Sequence, residues 1–497
     1  MVGLAEGAYP GRVYEDALLP DHAREVTGGE LPAARERFDR QHRYLLAALA
    51  AAPRAVASFP RGDLRRSTQR LPSRWLLPSL RSLSGQPSLA ATAWEACSGS
   101  WLAGSPSFAA TVTRTPMPSN QQEWRLRALA AGRDRGRRAD AVLPDDLVVQ
   151  GALALIQGRD GDAFSRFDGN LTQHAAQLPD PADGKTPYSP TKLEAWAKCP
   201  HGYYLNRVLG VWAIDQPEDV LSIRPADLGT LTHEVLDRFF ARLQVDDTVP
   251  GPDNEWTDDQ RRLLRRRALW AAEEAERDGL TGNPTLWQPQ LRQLLQSLDL
   301  FLTQDSVRRH HGKLRQVRSE LKLTVDVPLP DGRRVRMHGT ADRIDRAADG
   351  SVVVADYKSG SAYAFKVLSE TNPDANGTKL QLPVYAYGAR RELDLPGAPV
   401  RAEYWFIGSK DRGRRIGFDL TPEVEQRYAA VLATIADGIA GGVFPGRPEA
   451  DAPWKKYVDC SVCNPDGISA GDRLAQWDRK KQDGLLAEYV GLVEAST

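Results

Sequence analysis

The stretch SVVVADYKSG, residues 351–360, closes a run of apolar residues with Asp356 and Lys358. Residues two apart on a strand point the same way, so a carboxylate and an ammonium share one face while Tyr357 takes the other. Upstream, Asp342 lies in the segment MHGTADRID, and the turn signal Asp349-Gly350 between the two runs reads as a hairpin that brings Asp342 beside Asp356. Two carboxylates and a lysine on adjoining strands suit metal-assisted hydrolysis of a phosphodiester. Hard oxygen ligands hold a divalent cation, and the lysine orients a water and stabilises the charge that develops on phosphate. A lone D-x-K is more simply an exposed ion pair, which contributes little.

The elements that must position these groups are legible around them. Strands are expected over residues 316–360, and the segment LGTLTHEVLDRFFARL reads as a helix with Leu231, Val235 and Phe239 on an apolar stripe. Residues 256–312 are helical and charged, helices resume at 379–392 and after 421, and VRAEYWFIG between them reads as a strand. Ahead of this block, a Pro/Asp/Gly-rich linker runs into a helix start with Ser189 as N-cap and Pro190 at the first helical position, so a new domain begins near residue 185. Residues 91–184 are a mainly helical connector and linker. The first 90 residues pair a Gly/Pro-punctuated strand and loop with the amphipathic helical stretch ELPAARERFDRQHRYLLAALAAAP.

Five elements then stand in one order: G-x-x-x-H at Gly229 to His233, Glu320, G-x-x-D at Gly339 to Asp342, D-x-K at Asp356 to Lys358, and Q-x-x-x-Y at Gln381 to Tyr385. In this order they resemble the RecB-family branch of the PD-(D/E)XK nucleases, as found in AddB-type helicase–nucleases and Cas4-like exonucleases, over residues 185–497. The resemblance implies an α/β fold with a central mixed β-sheet flanked by helices. It also implies that Asp342 and Asp356 bind a catalytic Mg²⁺ or Mn²⁺, with His233 as a further ligand and the Tyr357 carbonyl completing the shell. Lys358 would hold or activate the attacking water, and Gln381 and Tyr385, at i and i+4 on one helix face, would position Lys358 or a DNA phosphate. Glu320 belongs to the ordered set, but an acid at the edge of a strand needs no catalytic reason.

The implied activity is a deoxyribonuclease acting on DNA, with single-stranded ends as substrate, in double-strand break repair or recombination. The alternatives are a non-catalytic DNA-binding subunit that holds DNA for a partner motor, and a stand-alone Cas4-like defence nuclease. Cys199, Cys460 and Cys463 fall where the AddB-type family places an iron–sulfur cluster, but the position of the fourth thiolate is Ser469. A [4Fe–4S] cluster with serine or solvent on one iron, a zinc site, and three thiols without metal all remain open. Cys97, in the connector, is not recruited.

Residues 1–90 resemble the last motifs of UvrD/AddB-like superfamily 1 helicases, with VGLAEGAYPG in the place of motif V and RERFDRQHRYLLAALAAA in the place of motif VI. The family's Thr-Arg-Ala is Ala50-Ala51-Ala52 here, and no G-x-x-x-x-G-K-[ST] occurs, so this chain alone is expected not to hydrolyse ATP. A helicase motor in cis or in trans is the expected partner, and the chain reads as the C-terminal portion of a larger helicase–nuclease.

Composition constrains the rest. The 497 residues carry 65 Lys and Arg against 65 Asp and Glu, so no global field announces a nucleic acid, and basic clusters such as residues 308–318 and 410–415 can equally be solvated faces. Four cysteines, no apolar run long enough for a bilayer and no signal-peptide pattern lead to the expectation of a cytoplasmic chain without a membrane partner.

Overall fold

The computed structural model describes residues 3–494 apart from 12, 64–65, 106, 115–116, 213–220, 409, 448–461 and 463–472. The chain divides into two compact units, Met1–Pro144 and Asp145–Thr497.

The second unit is organised on a five-stranded sheet of β1 (Arg315–Pro328), β2 (Arg334–Arg346), β3 (Val352–Lys358), β4 (Val400–Phe406) and β5 (Arg415–Asp419), in that spatial order. The hairpin of β1 and β2 is antiparallel from Arg315 opposite Arg346 to Pro328 opposite Arg334, and β2 continues antiparallel to β3. Strand β4 is parallel to β3, which requires a crossover, and residues 359–399 supply one. The sheet is therefore mixed, as expected. Strand β5, an antiparallel edge, was not anticipated: only Ile416 and Phe418 in five residues point inward, beside the polar run KDRGRR.

Helices cover both faces: α1 (Pro190–Lys198), α2 (Pro225–Val245), α3 (Asp258–Arg277), α4 (Pro284–Gly312), α5 (Gln381–Glu392) and α6 (Pro422–Ala440). Helix α1 begins as its sequence implies, with the Ser189 hydroxyl accepting the Lys192 N–H at 3.3 Å and Pro190 at the first turn. On one side of the sheet Val354, Val400 and Tyr404 pack with Trp196, Leu382 and Leu432 of α1, α5 and α6. On the other, Ala355, Tyr357 and Trp405 pack with the stripe Leu231, Val235 and Phe239 of α2 and with Leu298 and Phe301 of α4. Strand β3 is thus buried on both faces, which is why its residues form a continuous apolar run rather than an alternating one.

The alternation along β2 changes phase at one place. Val335, Met337 and Ala341 face the first core, and so does Ile344, three residues on, while Arg343 sits beneath the second. Asp342 lies at that change. Opposite it on β1, between the pairs Ser319–Arg343 and Leu321–Ala341, Glu320 has φ of 46°, a left-handed conformation that non-glycine residues rarely adopt. Irregular ladders of this kind re-aim side chains, and they collect next to active sites.

Residues 145–184, read from sequence as connector, pack within the second unit. The Lys480 ammonium donates to the Ala163 carbonyl at 2.6 Å, and Phe164 N–H donates to Asp483 at 2.7 Å. Gly169 (φ 99°), next to the bridge between Asn170 and Val443, lies so close to the facing chain that a Cβ would stand 2.0 Å from the Phe444 carbonyl oxygen. In the first unit, helices Ala34–Ala50 and Gln121–Asp134 form as expected, and Leu45 of the first packs with Leu4 and Leu76 in a small core. The strand expected in VGLAEGAYPG is not formed among the described residues. Isolated bridges such as Ala5 to Pro72 take its place, because Gly3 and Gly7 at positive φ turn the chain out of any ladder. No helix among the described residues is long and apolar enough to cross a membrane.

Candidate active site

The register of β2 against β3, with Arg343 opposite Ala355, carries on to set Asp342 opposite Asp356. At that point the ladder is replaced by a side chain: the Tyr357 backbone N–H donates to Asp342 Oδ2 at 2.6 Å. The other Asp342 oxygen lies 3.3 Å from His233 Nδ1, delivered from α2. Nitrogen and oxygen atoms of His233, Glu320 and Asp342 all lie within 4.8 Å of one another. Helix α2 passes close to the end of β3 at Gly229, where a Cβ would stand 3.3 Å from Ser359 Oγ.

Asp356 and Lys358 project together, as the strand period requires, and form a close ion pair. Lys358 Nζ also donates to Gln381 Oε1 at 3.2 Å and lies 5.0 Å from the Tyr404 ring centre. Gln381, the first residue of α5, donates through Nε2 to the Tyr385 hydroxyl at 3.3 Å and accepts the Tyr404 hydroxyl at 3.4 Å. Every residue of the ordered set therefore converges on the end of β3. Tyr357 contributes its main chain there, and its ring is buried in the opposite core.

The electrostatics are those of acids crowded out of water. Burial, with Asp342 adding to it, pushes Glu320 up to about 7. Burial also raises Asp356 to about 6 against the pull of Lys358. Burial disfavours the His233 imidazolium, but the hydrogen bond and charge of Asp342 outweigh it and lift the ring to about 9. For Lys358 burial likewise opposes the charge and Asp356 prevails, so the group stays an ammonium, a donor rather than a base. Two carboxylates and an imidazole held this closely fit a divalent cation, which would neutralise the acids and release the His233 proton.

The candidate cluster does not coincide with the expected ligand set. Glu320, the acid with the weakest sequence case, stands in the three-residue cluster, and Asp356 lies beside it with its carboxylate engaged by Lys358. Sequence reasoning also missed two supporting residues. Glu194 of α1, 4% exposed, accepts the Leu380 N–H at 2.7 Å and so fixes the start of α5 where Gln381 sits. Tyr404 stands beside Asp356 in the parallel register, and its only signal was its place in an apolar strand.

Gly339, which opens the G-x-x-D approach, has a packing reason. A Cβ there would lie 2.7 Å from Tyr385 Cε1, and the ring is only 5% exposed, so it has little room to yield. Gly339→Ala is expected to cost about 1–3 kcal/mol in overpacking, read as a lowered thermal midpoint together with reduced cleavage. An unchanged midpoint would mean that the ring swings aside freely. Of the cysteine set, Cys199 caps the turn after α1, its sulfur accepting the Gly202 N–H at 3.3 Å, while Cys460, Cys463 and Ser469 lie outside the described residues.

A mixed sheet bearing an ordered cluster of acids, lysine and glutamine at the end of a central strand defines the nuclease fold that the sequence resembles. A family model for the PD-(D/E)XK nuclease superfamily matches residues 187–467, more than half of the chain, and the protein belongs to that superfamily. Among curated proteins it is similar to chains named as a subunit of the ATP-dependent helicase/deoxyribonuclease in several bacteria. The Clostridium acetobutylicum protein is 25% identical over 192 residues, covering 36% of this chain and 16% of that one. For Clostridioides difficile the identity is 28% over 208 residues, 39% of this chain and 17% of the relative. For Heliobacterium modesticaldum it is 26% over 447 residues, covering 78% of this chain, the N-terminal unit in part included, and 34% of the relative. The chain thus spans about a third or less of the length of these relatives.

Proposed function

We propose that the chain is a divalent-metal-dependent deoxyribonuclease acting on single-stranded DNA ends, the nuclease part of a helicase–nuclease of the kind its relatives are named for, working in break repair or recombination. The observation that carries this reading is the convergence of His233, Glu320 and Asp342 within 4.8 Å beside the Asp356–Lys358 pair. A Mg²⁺ or Mn²⁺ held by His233, Glu320 and Asp342, with Asp356 and the Tyr357 carbonyl as further oxygens, would supply Lewis-acid stabilisation of the phosphate. Lys358, kept charged by Asp356, orients the attacking water and faces the charge developing on the phosphate oxygens. Gln381 holds the Lys358 ammonium through Oε1 and is itself held by Tyr385 and Tyr404, so the lysine enters the reaction in one orientation.

The test is cleavage of end-labelled single- and double-stranded DNA with Mg²⁺ or Mn²⁺, with and without ATP. Cleavage of single strands is expected in either metal, falling to background with EDTA and returning when metal is restored. Persistent cleavage in excess EDTA would remove the metal from the reading. No DNA-stimulated ATP hydrolysis is expected from the isolated chain. For the cysteines, a labile iron–sulfur staple between the turn at Cys199 and the C-terminal segment is supported by Val462, whose side chain lies near Gly202, 3.9 Å from where a Cβ would stand. Iron and sulfide analysis of anaerobically purified protein, and of Ser469→Cys, tests it, with higher occupancy expected in the variant.

A further inference from the structure

A cavity of about 230 Å³ opens at the carboxyl ends of β3 and β4, between α2 and α4. These two strands are the parallel pair of the sheet, and in open α/β sheets ligands bind in the crevice outside the carboxyl ends of such strands. The cavity lies on the α2–α4 face of the sheet, and two residues of its wall are chain neighbours of groups in the candidate site. Thr232, in its wall, precedes His233, and Ser359, also in its wall, follows Lys358. Close backbone approach shapes this corner, since a Cβ on Gly408 would stand 1.9 Å from the Ser359 carbonyl oxygen.

The lining narrows the ligand. Leu228, Leu294, Leu298, Ile223 and Ile407 make the walls aliphatic, and among the described residues no charged side chain lines them. A phosphate or sugar-phosphate would find neither counter-charge nor enough polar partners, and an uncharged, largely apolar group would find both fit and burial. At less than the roughly 300–1,000 Å³ of a drug-sized site, the space suits a single ring system. Two amides, Gln290 and Gln293, stand in the wall, and Gln290 Oε1 is sealed from water without a partner. An amide offers both donors and an acceptor, so it can meet the edge of any base without choosing among them.

We infer that this cavity receives the unstacked base of the nucleotide next to the bond being cut, holding a single strand in register with Lys358. The inference rests on the deoxyribonuclease reading, and it makes base burial, not phosphate contact alone, part of substrate positioning. A duplex would have to unpair that nucleotide first, which favours single strands.

The experiment is an abasic scan with the full chain. Single-stranded oligonucleotides carrying one tetrahydrofuran residue at successive positions are cut in Mn²⁺ and Mg²⁺. Cleavage beside one position is expected to fall about tenfold in kcat/KM, the scale on which an apolar pocket discriminates. In Leu294→Trp, which fills the cavity, the preference for an intact base over the abasic residue at that position is expected to collapse towards one. Wild-type cleavage that ignores the abasic residue at every position overturns the inference, and because this arm needs no variant, misfolding of Leu294→Trp cannot shelter it. A chain that cuts nothing sinks the nuclease reading instead. In that case, binding in Ca²⁺ decides the pocket. Tighter binding of intact than of fully abasic strands, lost in Leu294→Trp, retains it, and equal binding removes it.

Discussion

Lys358→Ala is expected to lower metal-dependent cleavage of single-stranded DNA by about a thousandfold or more while leaving the protein folded. Lys358 is aimed along β3 at the cluster, bound on one side by Asp356 and on the other by Gln381 Oε1 at 3.2 Å. On the proposed mechanism its charge would act where charge develops in the transition state, so the loss is expected to fall mainly on kcat. The fold survives for a specific reason. Asp356 is buried and loses its counter-ion, but burial already pushes its carboxyl up to about 6, so the group takes up a proton instead of standing as an unpaired charge. Asp356→Ala is expected to match the loss of activity. Circular dichroism and thermal melting alongside the end-labelled cleavage assay check both halves, and a Lys358→Ala protein cutting within a few-fold of the parent would remove the lysine from the chemistry.

The second large effect lies under the site, on the opposite face of the sheet. Arg343 follows Asp342 in sequence and points away from it, fully buried, with its Nε 2.8 Å from Asp345 and its Nη1 2.6 Å from Asp305 of α4, an ion pair off the ideal hydrogen-bonding angle. Arg308 of α4 pairs with Asp345 and, at 3.1 Å, with Glu403 of β4. Trp256 Nε1 donates to Asp305 at 2.9 Å. Helix α4 is thereby tied to β2 and β4 by charges held out of water. Arg343→Leu leaves those acids short of a partner in a low dielectric, and a loss of about 3–5 kcal/mol is expected, read as a lowered urea midpoint. A loss under about 1 kcal/mol would mean that the remaining partners suffice, Arg308 on Asp345 and Arg309 on Asp305 at 2.7 Å.

The pH dependence of this network has a definite sign. Burial by itself would raise Asp345, but Arg343 and Arg308 outweigh it and hold the carboxyl below its ordinary range. A carboxyl depressed in the folded state contributes stability above its unfolded value, near 3.9, and that contribution is lost as pH falls through the folded value. Wild-type protein is therefore expected to lose this share of stability below about pH 4. Without Arg343 the burial cost of Asp345 is less well opposed, so the gap between Arg343→Leu and wild type is expected to be widest near neutrality and to narrow on acidification. A gap that widens below about pH 4 would contradict the assignment.

Much of this molecule follows from local rules. The apolar run at Val352 to Ala355 is a central strand because only a strand buried on both faces has no use for alternation, and its period of two puts Asp356 and Lys358 on one side by necessity. The Asp-Gly turn joins β2 to β3 closely enough to set Asp342 opposite Asp356, and the i, i+4 spacing of Gln381 and Tyr385 stacks them on one helix face. Such features depend on neighbours in sequence, so they can be read from it.

What the sequence could not settle depends on partners distant in the chain. Glu320 looks like an ordinary strand-edge acid, and only the phase change at Asp342 and the left-handed backbone at Glu320 bring the two acids together. Glu194 gives no signal until α1 lies against Leu380, 186 residues away. The charges of Arg308, Arg343 and Asp345 would be read as solvated, because burial is a property of packing and not of residue type, and a run of arginines carries no mark that a sheet will close over it. The Gly/Pro-rich start of the chain shows the reverse error: a pattern resembling a strand, without the partner ladder that a strand needs, forms isolated bridges and no strand among the described residues. Local chemistry fixes what each residue can do, and tertiary contact decides which residues do it together, since desolvation and proximity exist only once distant segments meet.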